Sequence, residues 1–418
     1  MLYFQGISRK GKKNSRTMIC RRRNVLHCGD FDRKLFMKKI IFLRLLMCLC
    51  APCTWSSCLS HNSGSHLHEQ QSGRSKVVQP QGETVVYISN ADSREIFVMK
   101  LDTTTGQLSL VESEPTSGNV MPLALSLDKR YLYASLRSEP YAVSTFSINP
   151  QNGMLDHLAT TRLPDNMAYL SVDQSGRYLF AASYSGSKVS VNAIGTDGMV
   201  QSEPLQVLST GKNAHAIVAD HLNRHVYVPN LGDDQILQYT LDPGTGTLRP
   251  NDPPLIKTAS GSGPRHLAEH PEGRFWFLIN ELDGTINTYE SVQSGALKLL
   301  SSVSLMPAAH TGKPSAADIH VHPSGQFLYT TDRGSNTLCA FRIDLLNGKL
   351  TVIAHYQTET QPRSFNIDPS GKFLIVAGQQ SHRLSVYRIN PQNGALSKVA
   401  DAAAGRNPNW IEVIQLAR

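Results

Sequence analysis

Past residue 58 the chain has a single cysteine, Cys339, so no disulfide framework can hold its body together. The other six cysteines (Cys20, Cys28, Cys48, Cys50, Cys53 and Cys58) all lie in the first 58 residues. The cluster Cys48–Cys58 lacks the paired C-x-x-C spacing of a structural zinc site, so a metal centre is not expected there. Long apolar runs are missing as well. The longest candidate, Ile40 to Cys50, is interrupted by Arg44 and is too short to cross a bilayer as a helix. The body also lacks the basic balance that a phosphate backbone needs. Of 41 Lys/Arg and 33 Asp/Glu, residues 1–80 hold 15 and 3, which leaves the remaining chain mildly acidic. Nucleic acid is therefore not an expected partner. No G-x-S-x-G elbow and no phosphate-cradling G-x-x-x-x-G-K-[ST] loop occurs, and Gly261-Ser-Gly-Pro-Arg265 is a turn, since Pro264 follows the second glycine. No cofactor is implied.

The first 80 residues read as several pieces. Leu2-Tyr-Phe-Gln-Gly6 is similar to the remnant of an engineered protease site. A basic stretch without periodicity follows to Phe36. Met37-Lys-Lys then precedes a short apolar core and the small residues Ser56-Ser57, the pattern of a secretory signal. If it acts as one, the protein is periplasmic or secreted; otherwise it is cytoplasmic. Residues 59–80, rich in Ser, His, Gln and Gly, read as a linker.

What is present from residue 81 to 418 is a repeat. A polar turn, a bulky anchor and a strand recur in Asp128-Lys-Arg-Tyr-Leu-Tyr, Gly176-Arg-Tyr-Leu-Phe, Asn223-Arg-His-Val-Tyr, Gly273-Arg-Phe-Trp-Phe, Gly325-Gln-Phe-Leu-Tyr and Gly371-Lys-Phe-Leu-Ile. The anchors Tyr131, Tyr178, His225, Phe275, Phe327 and Phe373 are 47, 47, 50, 52 and 46 residues apart. Each copy carries four strand-like runs, A to D, which indicates an all-β propeller with four antiparallel strands per blade. Complete copies begin near Met121, Met167, Ala214, Pro264, Ser315 and Gln361. A seventh is split between the ends: Val85–Ser89, Ile96–Leu101 and Leu108–Glu112 lack a strand A, and Asn409–Leu416 is a strand left over. Joining them closes the ring and removes an exposed edge.

Aligning the copies exposes their odd residues. Ten positions before the anchor the column reads Met121, Ala168, His215, Arg265, Ala317, Arg363; six after it reads Arg137, Tyr184, Leu231, Glu281, Arg333, Gln379. Both columns belong to the same end of the ring, around the central channel. Ala, Met, Leu and Gln satisfy the fold there, so the charged residues are candidates for function. Four arginines against one glutamate imply an anionic small-molecule ligand, since guanidinium matches carboxylate and phosphate in fixed fork geometry. One Glu and no Asp in the columns gives no metal funnel. His320, near the middle of a strand A, is placed to line the channel, whereas His221, His270 and His322 read as turn residues.

The motifs Gly263-Pro-Arg-His266, Asn280-Glu-Leu282, Ala316-Ala-Asp-Ile-His320, Thr331-Asp-Arg333, Glu359-Thr-Gln-Pro-Arg363 and Ala377-Gly-Gln-Gln-Ser-His382 give residues 84–418 a resemblance. This part of the chain resembles the bacterial seven-bladed lactonase propellers of the 6-phosphogluconolactonase type, of which fungal carboxymuconate cyclase is a cousin. The resemblance implies hydrolysis of a sugar δ-lactone. It places the catalytic set on His215, Arg265, Glu281 and Arg333, with His215 or Glu281 as base and Arg265 on the oxyanion. Arg137, Arg363, His320 and Gln379 are expected to bind the substrate. A monomer is expected. The alternatives are a cycloisomerase acting on a carboxylated muconate, or a non-enzymatic binding propeller outside the cytoplasm. A signal-like leader departs from the cytoplasmic habit of the family.

Overall fold

A computed structural model describes residues 82–417. The pieces expected over residues 1–80 lie outside them. The described chain forms seven four-stranded antiparallel sheets. Blade 5 follows the expected pattern: strand A is Pro264–Glu269, B Phe275–Asn280, C Thr285–Ser291 and D Leu297–Ser304. Blade 1 takes its strand A from the far end of the chain. Pro408–Gln415 pairs with Thr84–Asn90, and Ile411 lies opposite Ile88. Among the described residues, no helix is long and apolar enough to cross a membrane.

The anchor column has a specific structural task. Each anchor packs on a glycine in the C–D turn of the next blade. A Cβ added at Gly198 would lie 2.4 Å from the Tyr131 ring, and one at Gly348 would lie 2.9 Å from Phe275. Phe373 of blade 7 closes the circle on Gly106 of blade 1, and Val85 takes the same place against Gly153. Gly198 has φ +79°, which a side chain would strain in addition to the clash. Two residues after the anchor, Tyr87, Tyr133, Tyr227 and Tyr329 donate their hydroxyls to the carbonyls of Gly153, Gly198, Gly295 and Gly394. Gly198, Gly295 and Gly394 thus each receive both a ring and a hydrogen bond, which explains the copies with tyrosine two residues after a ring anchor. Strand B is buried end to end in blades 1, 3, 5, 6 and 7, because its two faces meet two neighbouring blades. Phe275, Phe277 and Ile279 of blade 5 pack against Ile319, Leu328, Cys339 and Phe341 of blade 6. Apolar contact of this kind is the main source of stability in such stacks.

Blade 4 departs from the expected pattern. A full strand was expected from Ala214, but only Val218–Ala219 is regular, with an isolated bridge between Ala214 and Asn230. Pro229 in the neighbouring strand B is the cause. Its carbonyl faces strand A and accepts from the His215 N–H at 2.9 Å. Its missing N–H is therefore the one that the A–B ladder would have used.

Candidate active site

Strand A is irregular in every blade, and always near the column ten residues before the anchor. Pairing with strand B shifts between Met167 and Tyr169, between Pro264 and His266, and between Pro362 and Ser364. Ala168, Arg265 and Arg363 are thus the extra residues of β-bulges. A bulge re-aims a side chain that regular alternation would direct elsewhere. In blade 1 the same position belongs to Asn409, between Pro408 and Trp410.

The second column is tied to the first by one backbone hydrogen bond. Arg137 N–H donates to Asn119 O, Glu281 N–H to Gly263 O, Arg333 N–H to Ser315 O and Gln379 N–H to Gln361 O, at 2.7–3.0 Å. Each acceptor lies two residues before the bulge column. Two sequence columns therefore meet at one mouth of the channel in successive blades.

A cavity of about 220 Å³ opens there, lined by Arg137, Ala168, Tyr184, His215, Glu281, Arg333 and Arg363. Arg265 lies behind Glu281, almost wholly buried, and donates from Nε to Glu281 Oε2 at 2.9 Å. Arg333 Nη2 is 2.9 Å from the other carboxylate oxygen. Arg333 also donates from Nε to Ser315 O at 3.1 Å, so its guanidinium is held between that carbonyl and Glu281. Among the described residues Arg137 has only neutral partners, Asn166 Oδ1 and the Met121 sulfur. Arg363 has no ion-pair or hydrogen-bond partner among the described residues.

This arrangement sets the protonation states. Burial alone would raise the Glu281 carboxyl, but Arg265, Arg333 and Arg363 outweigh it and hold it below the usual carboxylate range. Burial, then the charge of Arg265, lowers His215 well below an ordinary histidine, so its imidazole is neutral at pH 7. His215 Nδ1 is buried without a hydrogen-bond partner. Burial, with Arg333 nearby, lowers the Arg265 guanidinium to about 10, which leaves it charged at neutral pH. Burial and the charges of Arg265, Arg333 and Arg137 lower Arg363 too. The mouth, with Arg265 behind it, therefore holds one carboxylate against four guanidinium groups.

Three expected residues do not line the cavity. His320 lines a separate cavity of about 340 Å³ at the opposite end of the channel, with Nε2 3.3 Å from Asp318 Oδ2. Its side chain follows the regular part of strand A, beyond the bulge. Gln379 spends its amide on Asn407 Oδ1 at 2.9 Å. Arg265, for which an oxyanion role was expected, does not line the cavity either. Sequence reasoning left out Tyr184 and Ala168, although both stood in the two columns. It also passed over His266 and Asp318, which lie outside them.

The sequence profile of the seven-bladed β-propeller lactonases matches residues 84–413. A Pectobacterium carotovorum protein named 6-phosphogluconolactonase is 39% identical over 335 residues, which cover 80% of this chain and 99% of that protein. A Serratia proteamaculans protein of the same name is 37% identical, covering 68% and 84%. Among solved structures, the periplasmic gluconolactonase of Pseudomonas aeruginosa superposes with a TM-score of 0.75 at 27% identity, covering 80% of this chain and 100% of that one. A Lactobacillus plantarum protein gives 0.73 at 27% identity, covering 80% and 99%. Repeat, ring closure and profile agree, and the chain belongs to the seven-bladed β-propeller lactonase family.

Proposed function

We propose that this protein hydrolyses 6-phosphogluconolactone or a closely related phosphorylated sugar δ-lactone. The observation that carries the reading is the charge of the mouth. Arg137, Arg333 and Arg363 line one small cavity with a single carboxylate, and that carboxylate is already shared between Arg265 and Arg333. The remaining positive charge asks for a multiply charged anion. A phosphate dianion supplies it, and the names of the similar enzymes favour lactone hydrolysis over cycloisomerisation.

The neutral His215 takes the part of general base. It removes a proton from water as the water oxygen attacks the lactone carbonyl. Charge builds on the carbonyl oxygen, where the guanidinium of Arg333, which lines the cavity, stabilises it. Collapse of the tetrahedral intermediate breaks the bond to the ring oxygen, and His215 returns the proton to that oxygen. One water is consumed and an open acid forms. Glu281, with both oxygens held by arginine, serves as an anchor for that arginine pair and not as the base. Arg363 and Arg137, without carboxylate partners, hold the phosphate.

The test is hydrolysis of freshly prepared 6-phosphogluconolactone with spontaneous opening subtracted. Wild type should be far faster than His215→Ala. Wild-type opening no faster than the buffer rate would end the lactonase reading for this substrate.

A further inference from the structure

Resting on the lactonase reading above, we propose that Asp318 and His266 are positioning residues, a buried hydrogen-bonded pair that fixes the Arg265–Glu281 anchor and the His215 ring. Neither residue lines the mouth cavity. Both stand directly behind it.

The bulge makes the arrangement possible. Arg265 and His266 are consecutive, so a regular strand would send them to opposite faces. The pairing shift between Pro264 and His266 brings the two side chains together. Arg265 Nη1 lies 3.1 Å from His266 Nε2 and 3.3 Å from Nδ1, and it also donates to Ala317 O. The guanidinium is thereby fixed on one side by His266 and Ala317, and on the other by Glu281.

Asp318 decides what His266 can offer. Its Oδ1 lies 2.9 Å from His266 Nδ1 and accepts the Ile319 N–H at 3.1 Å. Its Oδ2 accepts the Phe365 N–H of blade 7 and faces His320 Nε2, each at 3.3 Å. The carboxylate is buried and thus ties three blades together. A carboxylate can only accept, so the proton of a neutral His266 sits on Nδ1. Nε2 is then bare, and the ring presents its face to the guanidinium, with Nη1 close to both nitrogens. Burial, with Arg265 alongside, pulls His266 down to about 3, which agrees with a neutral ring. The opposite tautomer would set the bare Nδ1 lone pair against the Asp318 carboxylate.

His266 touches the proposed base as well. Its ring meets His215 edge-on at 5.2 Å between centroids, and Tyr169 and Trp410 brace it at 5.1 and 5.9 Å. One imidazole therefore places both halves of the machinery, the arginine anchor and the base.

The experiment uses the full chain with isotopically labelled histidine. Asp318→Asn is nearly isosteric. Its amide must present N–H₂ either to His266 or to the donors of Phe365 and His320, so the chain breaks in either orientation. The expected result is a fall in kcat on the order of 10- to 100-fold, the cost of a misplaced catalytic group. KM for the phosphorylated lactone should stay within about 3-fold, because Asp318 bonds to His266, Ile319, His320 and Phe365 and not to Arg363 or Arg137. His266→Gln keeps a donor and an acceptor and should retain several-fold more kcat than the apolar His266→Phe. The ¹⁵N shifts of His266 should report Nδ1–H in wild type and lose that signature in Asp318→Asn. A kcat for Asp318→Asn within 2-fold of wild type, or an Nε2–H signature in wild type, would overturn the proposal. If wild type itself fails to open the lactone, the lactonase reading falls, and the tautomer measurement still decides the hydrogen-bonded chain.

Discussion

Replacing Arg363 by Gln tests whether the unpaired arginine recognises phosphate. In the free protein Arg363 is a liability. It is desolvated, close to Arg265, Arg333 and Arg137, and pairs with no carboxylate among the described residues. Removing its charge relieves that repulsion, so the melting temperature of Arg363→Gln should equal or exceed that of wild type. In the complex the sign reverses. A hydrogen bond from a charged group to a phosphate oxygen contributes about 1.5–3 kcal/mol net. The bare Coulomb attraction at 4 Å would be about 4 kcal/mol at an effective dielectric of 20, before the cost of desolvation is subtracted. The net figure governs, and it corresponds to about a 10- to 150-fold loss of kcat/KM on the phosphorylated lactone. Gluconolactone without phosphate lacks the partner and should lose less than about 3-fold. Acid release in weak buffer, followed with an indicator, measures both substrates in one format. Equal losses on the two lactones would refute the assignment and place Arg363 at the reacting carbonyl instead.

Three further outcomes follow from the same geometry. Glu281→Gln leaves the buried Arg265 without its carboxylate and should cost about 3–5 kcal/mol in urea unfolding; an unchanged midpoint would mean that the arginine pair is held by other contacts. Both His215 and Glu281 have lowered pKa values, so their working forms persist as pH falls. The acid limb of kcat/KM should lie below the ordinary histidine value of about 6.5, measured on unphosphorylated lactone to exclude titration of the phosphate; an inflection at or above that value would argue against a buried, neutral His215. Gly198→Ala meets both a positive φ and the Tyr131 ring, and should lower stability by about 1–3 kcal/mol in urea unfolding without changing KM; a neutral effect would show that the inter-blade contact yields.

The fold was legible because its signature is local and repeated. Tyr131, Phe275 and their equivalents recur for one packing reason, a ring on the next blade's turn glycine, and that reason imposes a fixed interval. The two site columns were legible for a related reason: Glu281 N–H bonds to Gly263 O, and the same bond recurs around the ring. Alignment therefore found neighbours in space without coordinates. It could not find depth. Arg265 and Arg363 share a column, yet Arg363 lines the cavity and Arg265 stands behind Glu281. His320 does line the channel, but the bulge at Ala317 and Asp318 separates the mouth from the rest of strand A, and His320 falls on the far side. Asp318 and His266 act through contacts between blades, and a column that compares blades one at a time does not carry that information. The broken strand A of blade 4 had its signal in the open, since Pro229 occupies a central strand.

The join between the two chain ends has a consequence for the order of synthesis. Ser93 and Arg406, 313 residues apart, meet across that join. At a ribosomal rate of roughly 5–20 residues per second, the first blade waits about 15–60 s for its innermost strand. Throughout that interval Thr84–Asn90 is a buried-type strand with one unsatisfied edge, and the apolar faces of Val86 and Ile88 have no blade 7 to cover them. The last strand made is thus the one that protects the first. Slow translation near the end of the message would lengthen the exposure, and cellular holdases that bind unpaired strands would find this nascent chain a long-lived client.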